Sequence, residues 1–450
     1  MTFQLPENSI LTKTDFVYGV ATAAFQIEGA NMADGRCESI WDRFCATPGK
    51  VLNGDDGSVA CDHYHRLEQD LDLIQSLGVD AYRFSVAWPR IEPAPDQWNE
   101  AGFKFYQRLI DGLIKRNIKP YLTLYHWDLP QYLEDKGGWI NRETAYRFAQ
   151  YANKVSARFG DKVVSYCTFN EPLCSAFVGY RWGTHAPGYN DHKLGYQAGH
   201  HLLLAHGLAL PYLRKNAPKS DHGIVLNFTP AYPSRDEILD LDASEYADNA
   251  EGFWFLHPLM MAEYPADVVQ QDVSFMPTII PGDMEIIARP IDFVGVNYYS
   301  RRVVKGHKQG LPDTVPGDQP KTDIGWEIYP DGLTYLTQKM TQRYTRLPPI
   351  YITENGAADN TAPVNGEIND TLRTEYYQQH LSAVHNAIES GVDIRGYFAW
   401  SLMDNFEWAY GYSMRFGIVY VDYQTQQRTL KRSAKTWQQF LNNRQKPNID

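Results

Sequence analysis

Short apolar runs alternate along the chain with segments in which apolar residues recur at helical spacing. The apolar runs are nearly continuous, which is typical of parallel strands buried on both faces, as in a barrel or a doubly wound sheet. Because strand and helix alternate eight times, we predict an α/β fold, a single (β/α)8 TIM barrel. The eight predicted strands begin at Phe16, Val79, Lys119, Val163, Gly223, Ile291, Pro349 and Ile394.

Four of the predicted amphipathic helices have clear ends, marked by Gly or Asn after the last apolar position or by Asn at the start. They cover residues 67–77 before Gly78, 103–114 before Asn117, 141–160 and 374–391. A segment rich in Gly, Pro, Lys and Asp, residues 304–324, is predicted to be a long irregular loop after the sixth strand. No linker or repeat divides the chain, so we predict one domain over residues 1–450, with long loops at the C-terminal face of the barrel.

Composition narrows the function classes. The formal net charge of -12 comes from acidic residues spread along the chain, which argues against a nucleic-acid or anionic-membrane partner. The five cysteines have no C-x-x-C spacing, so neither a disulfide framework nor a zinc site is indicated. The sequence contains no signal-peptide pattern and no apolar run of about 18 residues. We therefore expect a cytoplasmic protein in a reducing compartment.

Several predicted strands end in polar or aromatic residues rather than apolar ones. In a (β/α)8 barrel the carboxyl ends of all strands meet at one face, so residues that are distant in sequence become neighbours there. We therefore expect a site built from Gln26, Arg83, His126, Trp127, Asn170, Glu171, Asn297, Tyr299, Glu354 and Trp400.

Two glutamates in this set close apolar strands, where an unpaired charge is costly. Glu171 follows Thr-Phe-Asn, and Glu354 follows Tyr-Ile-Thr. A single glutamate at a strand end is more often part of a structural ion pair. A pair at one barrel face is what glycoside hydrolysis requires, since one carboxylic acid protonates the leaving oxygen and one carboxylate attacks the anomeric carbon.

Two motifs around these glutamates resemble those of the glycoside hydrolase family 1 β-glucosidases. Thr168-Phe-Asn-Glu-Pro172 is similar to the acid/base motif of that family, and Ile352-Thr-Glu-Asn-Gly356 to its nucleophile motif. The resemblance extends from residue 16 to about residue 437. It implies a (β/α)8 barrel and a retaining mechanism, with Glu171 as acid/base and Glu354 as nucleophile.

The resemblance also implies a set of binding residues. Arg83 and Tyr299 would hold the nucleophile, and Trp400 would stack beneath the sugar. An ionised Glu354 beside Arg83 and a protonated Glu171 require two different pKa values. The sugar hydroxyls would be bound by Gln26, His126, Asn170, Glu407 and Trp408, and Asn297 and Tyr299 would lie around the nucleophile. Trp127 and Trp326 are also counted in the expected substrate site.

The expected substrates are terminal, unphosphorylated β-D-glucosyl residues of cello-oligosaccharides or of aryl and alkyl β-glucosides. Transglycosylation, a main activity on galactosides or fucosides, and a sugar-binding protein without catalysis remain alternatives. A 6-phospho-β-glucosidase is disfavoured. Such enzymes resemble one another in a Ser, Lys and Tyr set that binds the phosphate near the eighth strand, whereas this chain has Glu407 there, with Met414 and Phe416 where the Lys and Tyr would be expected. A glutamate would repel the phosphate dianion.

The leaving-group side of the site departs from the family pattern. Leu173 stands where many members have Trp. Trp326, Phe177 and Trp182 are candidates for that wall, with packing as the alternative for each. The histidines near residues 63–65 and 200–201 are interpreted as structural residues in helical segments, so we expect no metal and no cofactor. The oligomeric state is not predicted.

Overall fold

The computed structural model describes residues 2–308 and 310–445, in which the eight predicted strands form one closed parallel barrel. Each strand pairs with the next along the chain, and the last pairs with the first. The predicted (β/α)8 barrel is confirmed. Its strands are β1 Val17–Ala21, β2 Ala81–Ser85, β3 Lys119–Tyr125, β4 Ser165–Asn170, β5 Asp221–Phe228, β6 Phe293–Tyr298, β7 Ile350–Asn355 and β8 Ile394–Trp400.

The barrel explains why the strands show little alternation of apolar and polar residues. Every residue of β2, β4 and β6 is buried, because helices cover the outside and side chains fill the inside. Inside the barrel, the rings of Tyr121 and Phe398 lie 5.0 Å apart between centroids. A Cβ atom at Gly19 would lie 2.3 Å from the Phe398 ring, so only glycine fits that position of β1.

The helices surround the barrel, and the four predicted ones are present. Gly78 and Asn117 adopt left-handed φ values of 72° and 58° after the first two of them, as expected for residues that end helices. Asn141 Oδ1 accepts a hydrogen bond from the backbone N–H of Glu143 at 3.0 Å, which satisfies a donor at the start of the third. The fourth begins at Thr371, one turn before the prediction, with Asp370 preceding it.

The part of the chain that the structure describes contains the following helices. The α-helices are Ala24–Ile27, Ile40–Ala46, Leu67–Ser76, Trp88–Ile91, Glu100–Lys115, Gln131–Glu134, Glu143–Phe159, His192–Asn216, Ile238–Ala250, Gly252–Met261, Ala266–Gln271, Asp283–Ile287, Asp331–Arg343, Thr371–Glu389 and Arg432–Asn442. A π-helix covers Cys174–Arg181. Short 3-10 helices cover Ile10–Thr12, Leu52–Gly54, Gly138–Ile140, Gly160–Lys162, Val273–Phe275 and Trp408–Tyr410.

Residues 304–324 are not the fully irregular loop that was predicted. Arg302–Lys305 is a strand between a parallel neighbour, Ala231–Pro233, and an antiparallel one, Asp313–Val315. The prediction was wrong because these strands are very short and one partner comes from the segment after β5. A second small sheet pairs Val419–Val421 with Arg428–Leu430. Within the described residues, no helix is long and apolar enough to span a membrane.

Candidate active site

A cavity of about 430 Å³ lies at the carboxyl ends of the barrel strands. Strand register brings the predicted residues to it: Glu354 of β7 pairs with Asn297 of β6, and Ala21 of β1 pairs with Trp400 of β8. Ten of the predicted site residues line the cavity. They are His126, Trp127, Glu171, Asn297, Tyr299, Trp326, Glu354, Trp400, Glu407 and Trp408.

Three of these residues have backbone conformations that residues other than glycine rarely adopt. Trp127, Glu171 and Trp408 have φ values of 78°, 49° and 49°. Such conformations cost on the order of 1–3 kcal/mol each and persist where the surrounding structure enforces them, often at functional sites. Their concentration around one cavity supports its assignment as the candidate active site.

Glu354 is held at both carboxylate oxygens. Arg83 Nη1 donates to its Oε1 at 2.7 Å, and Tyr299 Oη donates to its Oε2 at 2.8 Å. The motif glycine, Gly356, passes so close to the Trp400 carbonyl that a Cβ atom there would lie 1.8 Å from the oxygen. The Ile-Thr-Glu-Asn-Gly motif therefore supplies a carboxylate held in a fixed position and a glycine that lets the backbone after β7 lie close to the end of β8.

Glu171 is also held at both oxygens, but by neutral donors. Asn297 Nδ2 donates to its Oε1 at 2.6 Å, and the Cys174 thiol donates to its Oε2 at 3.0 Å. Thr353 Oγ1 donates to Asn297 Oδ1 at 2.7 Å, which fixes the orientation of that amide. Glu171 thus has no cation in hydrogen-bond contact, whereas Glu354 has one.

Asn170 connects the two carboxyl groups. Its Oδ1 accepts from Arg83 Nη2 at 2.6 Å and from Asn297 Nδ2 at 3.1 Å, so one oxygen touches the partners of both glutamates. Its Nδ2 donates to His126 Nε2 at 3.1 Å. Burial and the Arg83 charge lower the pKa of His126 well below its usual range, so the ring is neutral and carries its proton on Nδ1.

The electrostatics separate the two glutamates. Burial, and then the charge of Glu354, raise the pKa of Glu171 to about 7. Burial also raises the pKa of Glu354 above its ordinary value, but there Arg83 and the Tyr299 hydroxyl oppose the increase by favouring the ionised form. The pair therefore carries its negative charge on Glu354 and its proton on Glu171 near neutral pH.

Glu407 is a third carboxyl in the cavity, and its residue is partly buried. Burial, then the charges of Glu354 and Glu171, raise its pKa to about 8. Gln26 anchors the segment before it, since Gln26 Nε2 donates to Asn405 Oδ1 at 2.9 Å and to the Phe406 carbonyl at 2.8 Å. A protonated Glu407 can both donate to and accept from neighbouring hydroxyl groups.

Three predicted residues lie behind the cavity surface rather than on it: Gln26, Arg83 and Asn170 are buried and do not line the cavity. Arg83 and Asn170 act through their contacts with the glutamates. Gln26 retains a buried Oε1 without a hydrogen-bond partner among the described residues, so its binding of a sugar hydroxyl stays a prediction.

Aromatic rings form the base of the cavity. The His126 ring stacks near Trp400 at 5.9 Å and near Trp408 at 6.0 Å between centroids. Trp127 lies 4.5 Å from Trp408, and its Nε1 donates to the Asn170 carbonyl at 2.9 Å. Trp127 therefore presents ring surface to the cavity, because its polar atom is already bonded.

Of the three candidates for the outer wall, only Trp326 borders the cavity. Trp326 lines the cavity, 5.3 Å from the Tyr299 ring and 5.9 Å from Phe416. Phe177 is fully buried among core rings, and Trp182 packs against it at 6.1 Å away from the cavity lining. Phe177 and Trp182 therefore follow the packing alternative, since the Phe177 ring lies 5.2 Å from Tyr196 of helix His192–Asn216.

The histidines outside the cavity have structural partners. His63 contacts Asp70 at 2.8 Å, and His200 contacts Asp283 at 3.0 Å. Residues 63–65 lie in a turn before helix Leu67–Ser76, not in a helix as predicted. Across residues 2–308 and 310–445, no group of three or more His, Cys, Asp or Glu side chains is arranged to hold a metal ion.

The sequence interpretation missed three residues that contribute to the site. Cys174 contacts Glu171, Thr353 orients Asn297, and His185 lines the cavity beside Trp127. The spacing Glu171-x-x-Cys174, about one helical turn, was a detectable signal for the first. Nothing in the sequence places His185, which comes from an irregular segment after the π-helix.

Comparison with known proteins agrees with this geometry. Residues 9–446 match the model of glycosyl hydrolase family 1. The chain is 49% identical over 430 residues to a β-glucosidase of Agrobacterium sp., covering 94% of this chain and 93% of the relative. It is 43% identical to a bifunctional β-D-glucosidase/β-D-fucosidase of Bifidobacterium breve, covering 95% and 97%.

A solved structure shares the whole fold. The Thermotoga maritima family 1 glycoside hydrolase complexed with a cyclophellitol analogue transition state mimic superposes with a TM-score of 0.94 at 44% identity, covering 96% of this chain and 99% of that one. The predicted resemblance to the β-glucosidases of this family is confirmed, and so is the expected enzyme class, a glycoside hydrolase. This chain belongs to glycosyl hydrolase family 1.

Proposed function

We propose that the protein is a retaining β-glucosidase that releases terminal, unphosphorylated β-D-glucosyl residues from cello-oligosaccharides or from aryl and alkyl β-glucosides. The observation that carries this proposal is the unequal environment of two carboxyls in one cavity. Glu354 accepts from a guanidinium and a phenol, whereas Glu171 accepts only from neutral groups and has a pKa of about 7. One group suits attack and the other suits proton transfer.

In the first half-reaction, Glu354 attacks the anomeric carbon while Glu171 donates its proton to the glycosidic oxygen. The bond from the anomeric carbon to that oxygen breaks, and an ester to Glu354 forms. Retention requires the two carboxyl groups to lie about 5–5.5 Å apart, with no water between them. The short hydrogen-bond path through Asn170, Arg83 and Asn297 supports such an arrangement.

In the second half-reaction, Glu171 acts as a base. Once Glu354 is esterified its charge is lost, so the repulsion that raised the pKa of Glu171 disappears and the ionised form of Glu171 becomes favourable. Glu171 then removes a proton from water as the water oxygen bonds the anomeric carbon and the ester breaks. A sugar or alcohol in place of water would give transglycosylation.

The cavity supports an unphosphorylated glucoside. Trp400 and Trp408 offer ring surface to the apolar faces of a sugar, and His126 Nδ1 and Glu407 offer polar atoms to its hydroxyls. A phosphate dianion would be repelled by the ionised Glu354 in the same cavity. The five cysteines are free, which suits a reducing compartment, and a cytoplasmic location stays a prediction.

The test of this proposal is the product anomer together with two glutamine variants. We expect NMR to show the β-anomer of glucose first. Glu171→Gln should slow turnover of a poor leaving group about 10²–10⁴-fold but slow release of dinitrophenol far less, since that leaving group needs no proton. Glu354→Gln should lose turnover of both substrates.

Glu134→Gln is the matched control. Glu134 is another buried glutamate with a pKa raised to about 7 by burial, and it lies outside the cavity lining. Its variant should keep its rate per folded molecule. Initial release of the α-anomer, or wild-type turnover by Glu171→Gln or Glu354→Gln, would contradict the proposal.

Activity on β-fucosides is the second candidate, because the Bifidobacterium breve relative is named for both activities. Fucose is galactose without the 6-hydroxyl, and it differs from glucose also in the configuration at C4. The fucoside and galactoside together therefore measure how much the enzyme gains from binding the 6-hydroxyl, and the galactoside and glucoside measure the effect of C4. A panel of aryl β-glucosides, β-galactosides and β-fucosides, compared by kcat/KM, separates the two functions. A higher kcat/KM for the fucoside would make β-fucosidase the main activity.

A further inference from the structure

A thiol lies in direct contact with the proposed acid/base. Cys174 is the first residue of the π-helix, and its backbone N–H donates to the Glu171 carbonyl at 2.9 Å. This turn directs the Cys174 side chain back toward Glu171, so Cys174 Sγ lies 3.0 Å from Glu171 Oε2. Cys174 is half-buried and lines the cavity, with its sulfur beside the carboxyl rather than in the core. Single π-helical turns are often associated with functional sites.

The hydrogen-bond donors around Glu171 decide which of its oxygens carries the proton. Oε1 accepts from the Asn297 amide at 2.6 Å, and an amide nitrogen can only donate. The same nitrogen donates to Asn170 Oδ1 at 3.1 Å, and Arg83 fixes that oxygen, so turning the amide over would bring two oxygens together. A proton on Oε1 would point at this donor. The acidic proton of Glu171 therefore resides on Oε2, the oxygen next to Cys174.

The thiol suits both protonation states of that oxygen, because a thiol is a weak donor and a weak acceptor. Asn227 Nδ2 donates to Cys174 Sγ at 3.7 Å, which leaves the S–H free to donate to Glu171. Burial, and then the charge of Glu171, raise the pKa of Cys174 well above its usual range. The thiol therefore keeps its proton whenever Glu171 is ionised.

We propose that Cys174 is a positioning residue that holds Oε2 of Glu171 and stabilises the ionised form that acts as the base. In the first half-reaction the proton leaves Oε2 for the glycosidic oxygen as that bond breaks. In the second, Oε2 takes a proton from water as the ester to Glu354 breaks, and the thiol donates to Oε2 until then. This inference rests on the proposed role of Glu171.

The other charged and titratable groups that face Glu171 come from separate parts of the barrel. They remain in place when Cys174 is replaced, so a change in the pH profile would report the thiol. These groups are Glu354 on β7, Arg83 on β2, Tyr299 after β6 and Glu407 after β8.

The experiment compares Cys174→Ala with Cys174→Ser. Loss of the donor in Cys174→Ala should raise the pKa of Glu171, so the alkaline limb of kcat/KM should move to higher pH. It should also slow kcat for dinitrophenyl β-glucoside, whose slow step is hydrolysis of the ester, because Oε2 is no longer held in place and a smaller fraction of Glu171 is ionised. We expect a decrease of roughly three- to tenfold, the range for one ordinary hydrogen bond. Cys174→Ser keeps a donor, so both values should return toward those of the unmodified enzyme.

Rates are divided by the concentration of folded enzyme, measured as the burst of dinitrophenol. Cys45→Ala and Cys45→Ser are controls, since Cys45 is a buried thiol in helix Ile40–Ala46 outside the cavity lining, and both should match the unmodified enzyme. An unchanged alkaline limb in Cys174→Ala, or equal behaviour of Cys174→Ser and Cys174→Ala, would overturn the inference. If Glu171→Gln loses turnover while Cys174→Ala changes nothing, only this inference fails; if Glu171→Gln keeps turnover, the proposed function fails as well.

Discussion

The hydroxyl of Tyr299 is one of two groups that hold the Glu354 carboxylate, and its removal gives a prediction at the scale of a single residue. Tyr299→Phe leaves Arg83 in place but removes a hydrogen bond to the ionised form, so the pKa of Glu354 should rise. Because Glu354 must be ionised to attack, the acidic limb of kcat/KM should move to higher pH. A hydrogen bond to a charged group contributes about 1.5–3 kcal/mol, so kcat/KM should fall about 10- to 100-fold.

Tyr298→Phe is the control for this prediction. Tyr298 is adjacent in sequence, but its hydroxyl donates to the Tyr329 carbonyl and not to a glutamate. This variant should leave the acidic limb where it is in the unmodified enzyme. An acidic limb that does not move in Tyr299→Phe would show that Arg83 alone sets the charge of Glu354.

At the residue scale, the sequence indicated positions more reliably than contacts. It placed Glu171 and Glu354 at strand ends, and both line one cavity. It could not show that Thr353 fixes Asn297 or that Cys174 reaches Glu171, because both contacts depend on side-chain direction. It also could not separate Trp326, which lines the cavity, from Trp182, which does not.

At the scale of elements, this pair of tryptophans tests which segment forms the outer wall. Trp326 and Trp182 are equally exposed, at 38% each, but only the segment that contains Trp326 borders the cavity. Trp326→Ala should raise KM for aryl β-glucosides roughly three- to tenfold, as expected for loss of one ring contact, and should change KM for methyl β-glucoside little.

Trp182→Ala is the matched control and should leave both KM values unchanged. The measurement is steady-state kinetics with the aryl and the methyl glucoside on each variant. Equal effects of Trp326→Ala on the two substrates would mean that the ring acts on the glucosyl unit or on folding instead of on the leaving group.

Elements with strong local signals were predictable, and those defined by distant partners were not. The barrel strands are continuous apolar runs, and helices such as Glu100–Lys115 combine apolar periodicity with end residues. The strand Arg302–Lys305 has only four residues, and its neighbour Ala231–Pro233 follows a different barrel strand. No local pattern could have paired them, since the pairing is decided by how the loops after β5 and β6 meet.

At the scale of the whole molecule, the barrel collects three carboxyl groups at one face. Glu354 carries the negative charge near neutral pH, whereas the raised pKa values of Glu171 and Glu407 keep these two mainly protonated. Glu171 follows β4, Glu354 lies on β7, Glu407 follows β8, and the chain has a formal net charge of -12. Neutral substrates are insensitive to this field, whereas anionic ones are repelled. The ionised Glu354 and the acidic chain around it therefore act against anionic sugars before any individual contact is made.

The corresponding prediction compares an aryl β-glucoside with its 6-phosphate. We expect kcat/KM to be at least roughly 100-fold lower for the phosphate, because like charges brought together in a site cost several kcal/mol. Added salt should recover part of this loss and leave the neutral substrate unaffected, since salt screens exposed charges. The 6-O-methyl glucoside is the control for size, because it fills the same position without charge. If it is turned over as poorly as the phosphate, or if salt changes nothing, exclusion is steric and the electrostatic explanation fails.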